Sequence, residues 1–247
     1  MHEFPTLRPD LYFWTGFYND EDCFSWASSK AYLDMNRTLT FRDIPKNDSQ
    51  KEINRVNAQR KAWMDQGTEI IKQEMSTPAA DFHAWHKGVC RKLIALYAMD
   101  KLVSREHNKR TEQPAGLTYG QAQKWLNMTL KYLWLLHRLH LITDEATARF
   151  IRTHEKSFHV PLDSYILRYV AKQDKSKTDR FVPEHNNGLD PEIDFSDFWD
   201  LFGSAWSRID QEDAYDKYQL ALANALTDMS PLEWELIHWH KALKYYG

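Results

Sequence analysis

The sequence predicts an all-α fold, arranged as two helical lobes with a central cleft between them. Five stretches repeat apolar residues at the three- and four-residue spacing of an amphipathic helix. The chain has only 8 Gly and 9 Pro among 247 residues, which is too few for a turn-rich β architecture. No run alternates apolar and polar residues as a half-buried strand does. We therefore expect 1–247 to form a single helical domain.

The five predicted helices begin and end at recognisable signals. Ser230-Pro231-Leu232-Glu233 is typical of a capping box with proline at the first helical position, and Thr118 with Gln121 predicts a second capping box. The segments 111–116 and 182–191 are rich in helix breakers and are predicted to be loops. The predicted helices span 51–75, 79–103, 119–141, 215–226 and 231–245.

Two shorter helices are predicted from possible N-caps. Thr143 precedes a helical pattern that reaches His154, and Asp163 follows Val160-Pro161-Leu162 and precedes a pattern that reaches Ala171. For Asp163, the cap explains the residue without any further role, because aspartate is common at this position.

The net charge of −3 conceals an asymmetry along the chain. Residues 181–247 carry 4 Lys or Arg and 13 Asp or Glu, whereas 87–110 carries 7 basic and 2 acidic residues and 168–180 carries 5 and 2. Two basic stretches on an acidic protein predict a face that could bind a phosphate backbone. The alternative is that both stretches are ordinary solvated helix faces.

The sequence predicts a protein of the cytoplasm that does not cross a membrane. The N-terminus lacks the basic and apolar regions of a signal peptide, and the most apolar stretch, 132–142, is short and interrupted by charged and histidine residues. The two cysteines, Cys23 and Cys90, form no CxxC pair, which favours a reducing compartment.

The most informative pattern lies in 117–171. Its first block reads Leu-Thr-Tyr-Gly-Gln-Ala-Gln-Lys-Trp-Leu-Asn-Met from 117 to 128, and its second reads Val-Pro-Leu-Asp-Ser-Tyr-Ile-Leu-Arg from 160 to 168. The second block resembles the catalytic-aspartate block of the helix-hairpin-helix DNA glycosylases. The first resembles the hairpin and helix that carry their lysine, and is most similar to the archaeal 8-oxoguanine glycosylase branch. Only Gly120 remains of the usual glycine-rich hairpin, so the motif is degenerate.

The resemblance implies a DNA glycosylase with Asp163 and Lys124 as catalytic residues and DNA as the partner, without a cofactor, a metal or an obligatory protein partner. Cleavage of an N-glycosidic bond develops positive charge on the sugar, which a carboxylate stabilises. A neutral lysine amine can attack the same carbon and form a Schiff base, which permits strand cleavage. The implied substrate is oxidised guanine or a hypermodified base, in DNA repair or in antiviral defence.

Other residues are assigned to substrate binding. The N–H groups at Tyr119, Gly120 and Gln121 open a helix and are expected to hold a DNA phosphate. Trp85 and Trp14 are expected to form aromatic walls around a flipped base, although each could equally be a packing residue.

Three alternatives stay open at this stage. Lys124 could be an exposed helix lysine, and the protein could be a non-enzymatic helical module that binds nucleic acid or protein. A third possibility is a metal-dependent hydrolase, since close histidine pairs occur, although no HExxH motif is present. The pairs are His83 with His86, His137 with His140, and His238 with His240.

Overall fold

The computed structural model describes residues 22–43, 49–77, 79–98, 101–106, 109–171, 188–202, 205–226 and 228–246. Its helices are α1 (Cys23–Asn36), α2 (Gln50–Ser76), α3 (Phe82–Leu96), α4 (Tyr119–Arg138), α5 (Glu145–His154), α6 (Ser164–Val170), α7 (Ser196–Phe202), α8 (Glu212–Asn224) and α9 (Pro231–Tyr246). Single 3₁₀ turns occupy Glu155–Ser157 and Trp206–Arg208, and one hairpin pairs β1 (Leu102–Glu106) with β2 (Lys109–Ala115). The predicted helical class is confirmed. Among the described residues, no helix is long and apolar enough to cross a bilayer.

Helix α4 lies at the centre of the fold. Every residue from 119 to 136 is buried, so this helix has no solvated face along most of its length. A helix buried on all sides must be covered by other elements. Here α1, α3, α5 and the Trp206–Arg208 turn pack around it.

The chemistry of the helix ends agrees with the sequence at three places. Thr118 and Gln121 form the predicted capping box at the start of α4. Ser230 and Glu233 exchange backbone and side-chain hydrogen bonds at the start of α9, as a capping box requires. Asp163 caps α6 by accepting from two backbone N–H groups.

The predicted cap of α5 is wrong by one residue. Asp144, not Thr143, is the N-cap, and its carboxylate accepts from the N–H of Thr147 at 2.7 Å. Both residues are acceptable N-caps by residue type, and sequence alone does not decide which of two neighbours takes the extended backbone.

The helix predicted over 79–103 is too long, and the predicted absence of strands is wrong. Helix α3 ends at Leu96, and the chain then enters β1, which pairs with β2; β2 takes up most of the segment 111–116 that was predicted to be a loop. The decisive contacts are non-local: the N–H of Val103 donates to the Thr40 carbonyl, and Phe41 bridges to Leu102. Such pairing overrides a local periodicity that continues through Leu102 and Val103.

The contact of α2 with α4 depends on a glycine. A Cβ on Gly67 would lie 2.0 Å from the ring of Trp125, so only glycine permits this approach. The Trp125 ring is fully buried, and its indole N–H donates to the carbonyl of Ser28 on α1. Trp125 therefore joins α1, α2 and α4, and its ring has little room to move.

We predict that Gly67→Ala lowers the free energy of unfolding by roughly 1–3 kcal/mol, because overpacking a closed core forces neighbouring groups to shift. Gly88→Ala is the matched control, since a Cβ at this helical glycine meets nothing within 4 Å. That change should stabilise the protein by about 0.5–1 kcal/mol through helix propensity. Urea denaturation measures both, and equal stability of the two variants would contradict the packing argument.

Candidate active site

Two helices bring Lys124 and Asp163 together from 39 residues apart in sequence. Lys124 is the sixth residue of α4, and Asp163 is the N-cap of α6. The Lys124 Nζ atom lies 3.4 Å from Asp163 Oδ2 and 3.5 Å from the Pro161 carbonyl oxygen. The side chains are only 8% and 16% exposed, so the two charged groups meet in a largely dehydrated place. Lys124 is therefore not the exposed helix lysine of the alternative interpretation.

The two oxygens of the Asp163 carboxylate have separate contacts. Oδ1 accepts from the N–H groups of Tyr165 and Ile166 at 3.0 and 2.9 Å. Oδ2 faces Lys124 and also accepts from the indole N–H of Trp239 at 3.1 Å. The carboxylate plane is therefore fixed by one helix start, and its second oxygen points to the lysine.

Two tryptophans that the sequence did not indicate belong to this site. Trp239 lies on α9 and contacts Asp163, whereas the ring of Trp206 lies 5.8 Å from Lys124 Nζ, within the range of a cation–π contact. In the sequence, Trp239 stands between His238 and His240, and only these two histidines were considered as candidate metal ligands. No sequence pattern around Trp206 indicates its contact with Lys124, because that contact depends on where the Trp206–Arg208 turn packs in the fold.

A second charged pair lies beside the first on the same stripe of α4. Lys124, Lys131 and Arg138 recur every seven residues, which places them on one face of the helix. Lys131 Nζ lies 2.5 Å from an oxygen of Glu235, with both side chains almost fully buried. Burial lowers the pKa of Lys131, and Glu235 opposes this effect. The seven-residue spacing of these three cations is the sequence feature that indicates this arrangement.

The start of α4 is not open to a phosphate. The N–H of Gly120 donates to the Ile209 carbonyl at 2.7 Å, and that of Gln121 donates to Thr118 Oγ1. A Cβ at Gly120 would lie 1.9 Å from the Trp206 carbonyl oxygen, so the glycine admits protein backbone at this point. The ring of Tyr119 is buried against Tyr215. Of the three residues expected to contact a phosphate, Gly120 and Gln121 use their N–H groups within the chain, and Tyr119 contributes a buried ring.

Trp85 is a packing residue and not a wall beside Asp163. Its ring packs against Phe82 and Phe150, and its indole N–H donates to the Glu74 carbonyl at 3.1 Å. It thereby ties α2, α3 and α5 together, and none of these contacts involves Lys124 or Asp163. The other expected wall, Trp14, lies outside the described residues.

The basic stretch 87–110 is partly neutralised by acidic residues of the chain. Lys87 lies 2.8 Å from Asp216 and 3.2 Å from Glu212, and these acidic partners raise its pKa above the usual range. Arg91 pairs with Glu212, and Lys92 pairs with Glu74. The prediction that 87–110 forms a phosphate-binding face is therefore corrected: three of its cations are paired with acidic residues of the chain. Residues 172–180 of the other stretch lie outside the described residues.

Two surface cavities among the described residues lie beside α7 and α8. One of about 730 Å³ is bordered by Arg91 and by residues of α7 and α8, and one of about 230 Å³ lies between α7 and the start of α8. Neither is lined by Lys124 or Asp163. A substrate would therefore have to reach the pair through a different opening.

His83, His86 and His159 take part in buried or partly buried hydrogen bonds. His159 Nε2 lies 2.9 Å from His83 Nδ1, and His86 Nε2 lies 2.7 Å from the side-chain oxygen of Asn127. Burial lowers the pKa of His86 to about 4 and also lowers that of His159. Within the described part of the chain, no group of three His, Cys, Asp or Glu residues is placed to hold a metal ion, and Cys23 and Cys90 are buried free thiols.

Comparison with models of protein families, with curated protein sequences and with solved structures finds no match to this chain. The glycosylase resemblance therefore depends on residues 117–171 alone, and on the chemistry that these residues can perform.

We predict that protonation of buried His86 destabilises the fold in mild acid. Its folded-state pKa of about 4 lies below the ordinary 6.5, so the unfolded chain binds the proton first as the pH falls. The corresponding stability is complete above neutral pH and is lost as the pH falls between these two values, and the loss has reached about 2 kcal/mol at pH 5. The cost of His86→Gln, measured by urea unfolding, should therefore be smaller at pH 5 than at pH 7 by roughly this amount.

The exposed His140 supplies the control for this comparison. It adopts a positive φ of 58°, which asparagine tolerates, so His140→Asn should preserve the backbone. The cost of this variant, measured at the same two pH values, provides the reference for an exposed histidine. A pH-independent cost of His86→Gln would show that the ring is not held neutral in the folded protein.

Proposed function

We propose that this protein is a DNA N-glycosylase that removes a damaged or modified base, with Asp163 and Lys124 at the reacting sugar. The observation that carries the proposal is the 3.4 Å approach of Lys124 Nζ to Asp163 Oδ2 across 39 residues of sequence. Both residues belong to the blocks of 117–171 that resemble the glycosylase motifs. The two-lobed cleft and the degenerate helix-hairpin-helix are part of the same proposal.

Asp163 has the geometry that charge stabilisation requires. Its Oδ1 is fixed by two backbone N–H groups, and its Oδ2 is directed by the indole N–H of Trp239. A preoriented carboxylate can stabilise positive charge as it develops on the sugar, without the cost of reorganisation during the reaction. We propose that C1′ of the target nucleotide comes to lie against Oδ2.

Lys124 must lose a proton before it can act as a nucleophile. Its contacts with a carboxylate, a carbonyl oxygen and an aromatic face are those of an ammonium group. Transfer of one proton from Nζ to water yields the amine and leaves the Asp163 carboxylate ionised. The amine then forms a bond to C1′ while the C1′–N bond breaks, and the base leaves with that electron pair and takes up a proton.

The next steps separate a lyase from a simple hydrolase. The C1′–O4′ bond then breaks as one proton passes from the attached nitrogen to O4′, which opens the sugar ring and leaves a protonated Schiff base on Lys124. Loss of a C2′ proton then breaks the C3′–O bond, the 3′ phosphate leaves with that electron pair, and the strand is cleaved. If water takes the place of the amine, Asp163 positions it, the base is released and the strand stays intact. Lys124 then acts only through its charge.

The substrate class follows from the resemblance. Oxidised guanine is the substrate of the most similar branch, and a hypermodified base of viral DNA would need the same bond cleavage with a wider pocket. The first would mean DNA repair and the second antiviral defence, in either case in the cytoplasm. The competing function is a helical interaction module, in which the Lys124–Asp163 pair only holds α6 on α4.

We predict that Asp163→Asn abolishes base release, whereas Lys124→Gln abolishes covalent trapping by borohydride. The asparagine retains the ability to cap α6 but lacks the negative charge. Lys124→Gln should also cost roughly 1–3 kcal/mol of stability, since it removes a buried charged partner, so activity must be compared well below the melting temperature. A panel of lesion-bearing and modified DNAs provides the measurement.

Two matched variants test whether a loss of activity is specific. Asp144→Asn changes the N-cap of α5 in the same way that Asp163→Asn changes that of α6. Lys61→Gln removes another lysine that is paired with an aspartate. Both should leave base release and trapping at the wild-type level. Full activity of both site variants would refute the assignment, and absence of base release from every DNA would favour the interaction module.

A further inference from the structure

Asp163 is presented by a buried segment that has no regular structure. Residues 158–162 belong to neither a helix nor a strand, yet they are buried. Buried backbone N–H and C=O groups need partners, and this segment cannot obtain them from a helix or a sheet. The position of Asp163 therefore depends on what those partners are.

The side-chain amide of Gln219 binds both polar groups of Val160. Its Oε1 accepts from the Val160 N–H at 3.0 Å, and its Nε2 donates to the Val160 carbonyl at 2.9 Å. Gln219 is itself only 3% exposed. The pair of hydrogen bonds resembles one rung of a sheet and lies three residues before Asp163.

The hydroxyl of Tyr215 fixes the orientation of this amide. The Tyr215 oxygen accepts from Gln219 Nε2 at 3.2 Å and from Asn127 Nδ2 at 2.8 Å. With both acceptor positions used, its O–H donates to His159 Nδ1 at 3.1 Å. Because Nδ1 of the His159 ring accepts this bond, the ring's N–H lies at Nε2 and donates to His83 Nδ1. The segment is thus held at two successive residues, His159 and Val160.

We infer that Gln219 is a positioning residue for Asp163, which acts by fixing Val160 and so places Asp163 Oδ2 against Lys124 and Trp239. Helix α8, which bears Gln219, thereby contributes to a site whose charged groups lie on α4 and at the start of α6. The consequence for catalysis rests on the proposed function. The position of the Asp163 carboxylate does not depend on the proposed function, and it can be observed through the indole N–H of Trp239, which donates to Asp163 Oδ2.

Gln219→Glu tests this inference because its two protonation states differ in whether both hydrogen bonds to Val160 can form. The protonated carboxyl can accept from the Val160 N–H and donate to the Val160 carbonyl, as the amide does. The ionised carboxylate has no proton to donate and repels that carbonyl. The readouts are base release and the indole N–H signal of Trp239 in a proton–nitrogen correlation spectrum, identified with Trp239→Phe.

We predict that, relative to wild type at each pH, Gln219→Glu releases base about 10- to 100-fold more slowly at alkaline pH and regains most of the rate in mild acid, since small misplacements of a catalytic group have effects of this size. The effect should fall on kcat more than on KM. The Trp239 signal should move away from its wild-type position and return with the same titration. Ser28→Ala, a buried polar change between α1 and α2, should leave that signal unchanged.

The outcomes are distinguishable. A Trp239 signal that stays at its wild-type position in folded Gln219→Glu at every pH overturns the inference, as does an equal shift in Ser28→Ala. A shifted signal in a protein that releases no base from any DNA supports positioning by Gln219 and refutes the glycosylase. If Gln219→Glu does not fold, Tyr215→Phe removes only the hydroxyl that orients the amide, and an unchanged Trp239 signal there also overturns the inference.

Discussion

The burial of α4 on all sides is the constraint on which the rest of the structure depends. A polar side chain on such a helix cannot reach water and must find a partner within the protein, because an unpaired buried group is costly. Lys124 meets Asp163, Lys131 meets Glu235, and Asn127 meets Tyr215. These partners belong to the start of α6, to α9 and to α8, so the polar residues of one helix determine where three other elements lie.

Pairs of this kind act more through specificity than through stability. The attraction between Lys131 and Glu235 roughly offsets the cost of dehydrating them, whereas the loss of one partner would cost about 3–5 kcal/mol. An altered register of α9 would separate the pair, so the arrangement selects a single register. The same register brings Trp239, one turn beyond Glu235, to the carboxylate of Asp163. The buried pair and the candidate site are therefore consequences of one helix packing.

The sequence predicts what is local and misses what is distant. Apolar periodicity predicts α2, α4, α8 and α9, and residue type at helix starts predicts the cap at Asp163, because both depend on neighbours along the chain. The hairpin of β1 and β2, the contact of Trp206 with Lys124, and the hold of Gln219 on Val160 depend on residues far apart in sequence. Gly120 is instructive, since a glycine expected to admit a phosphate admits the backbone of Trp206. The sequence indicates that a group approaches Gly120 closely, but it does not indicate that this group is the Trp206 backbone.

The Lys124–Asp163 contact has a structural and a chemical consequence that oppose each other. As an ion pair it holds α6 against α4, and it engages both the amine and the carboxylate oxygen that glycosidic cleavage would use. In the proposed reaction, a sugar entering this site would separate the two groups, expose a dehydrated carboxylate to developing positive charge and free the lysine from its partner. The contacts that remain, from two N–H groups and an indole to Asp163 and from the Trp206 ring to Lys124, would keep each group in place during that separation. In the proposed reaction, the surrounding residues would let the two charged groups part without losing their orientation.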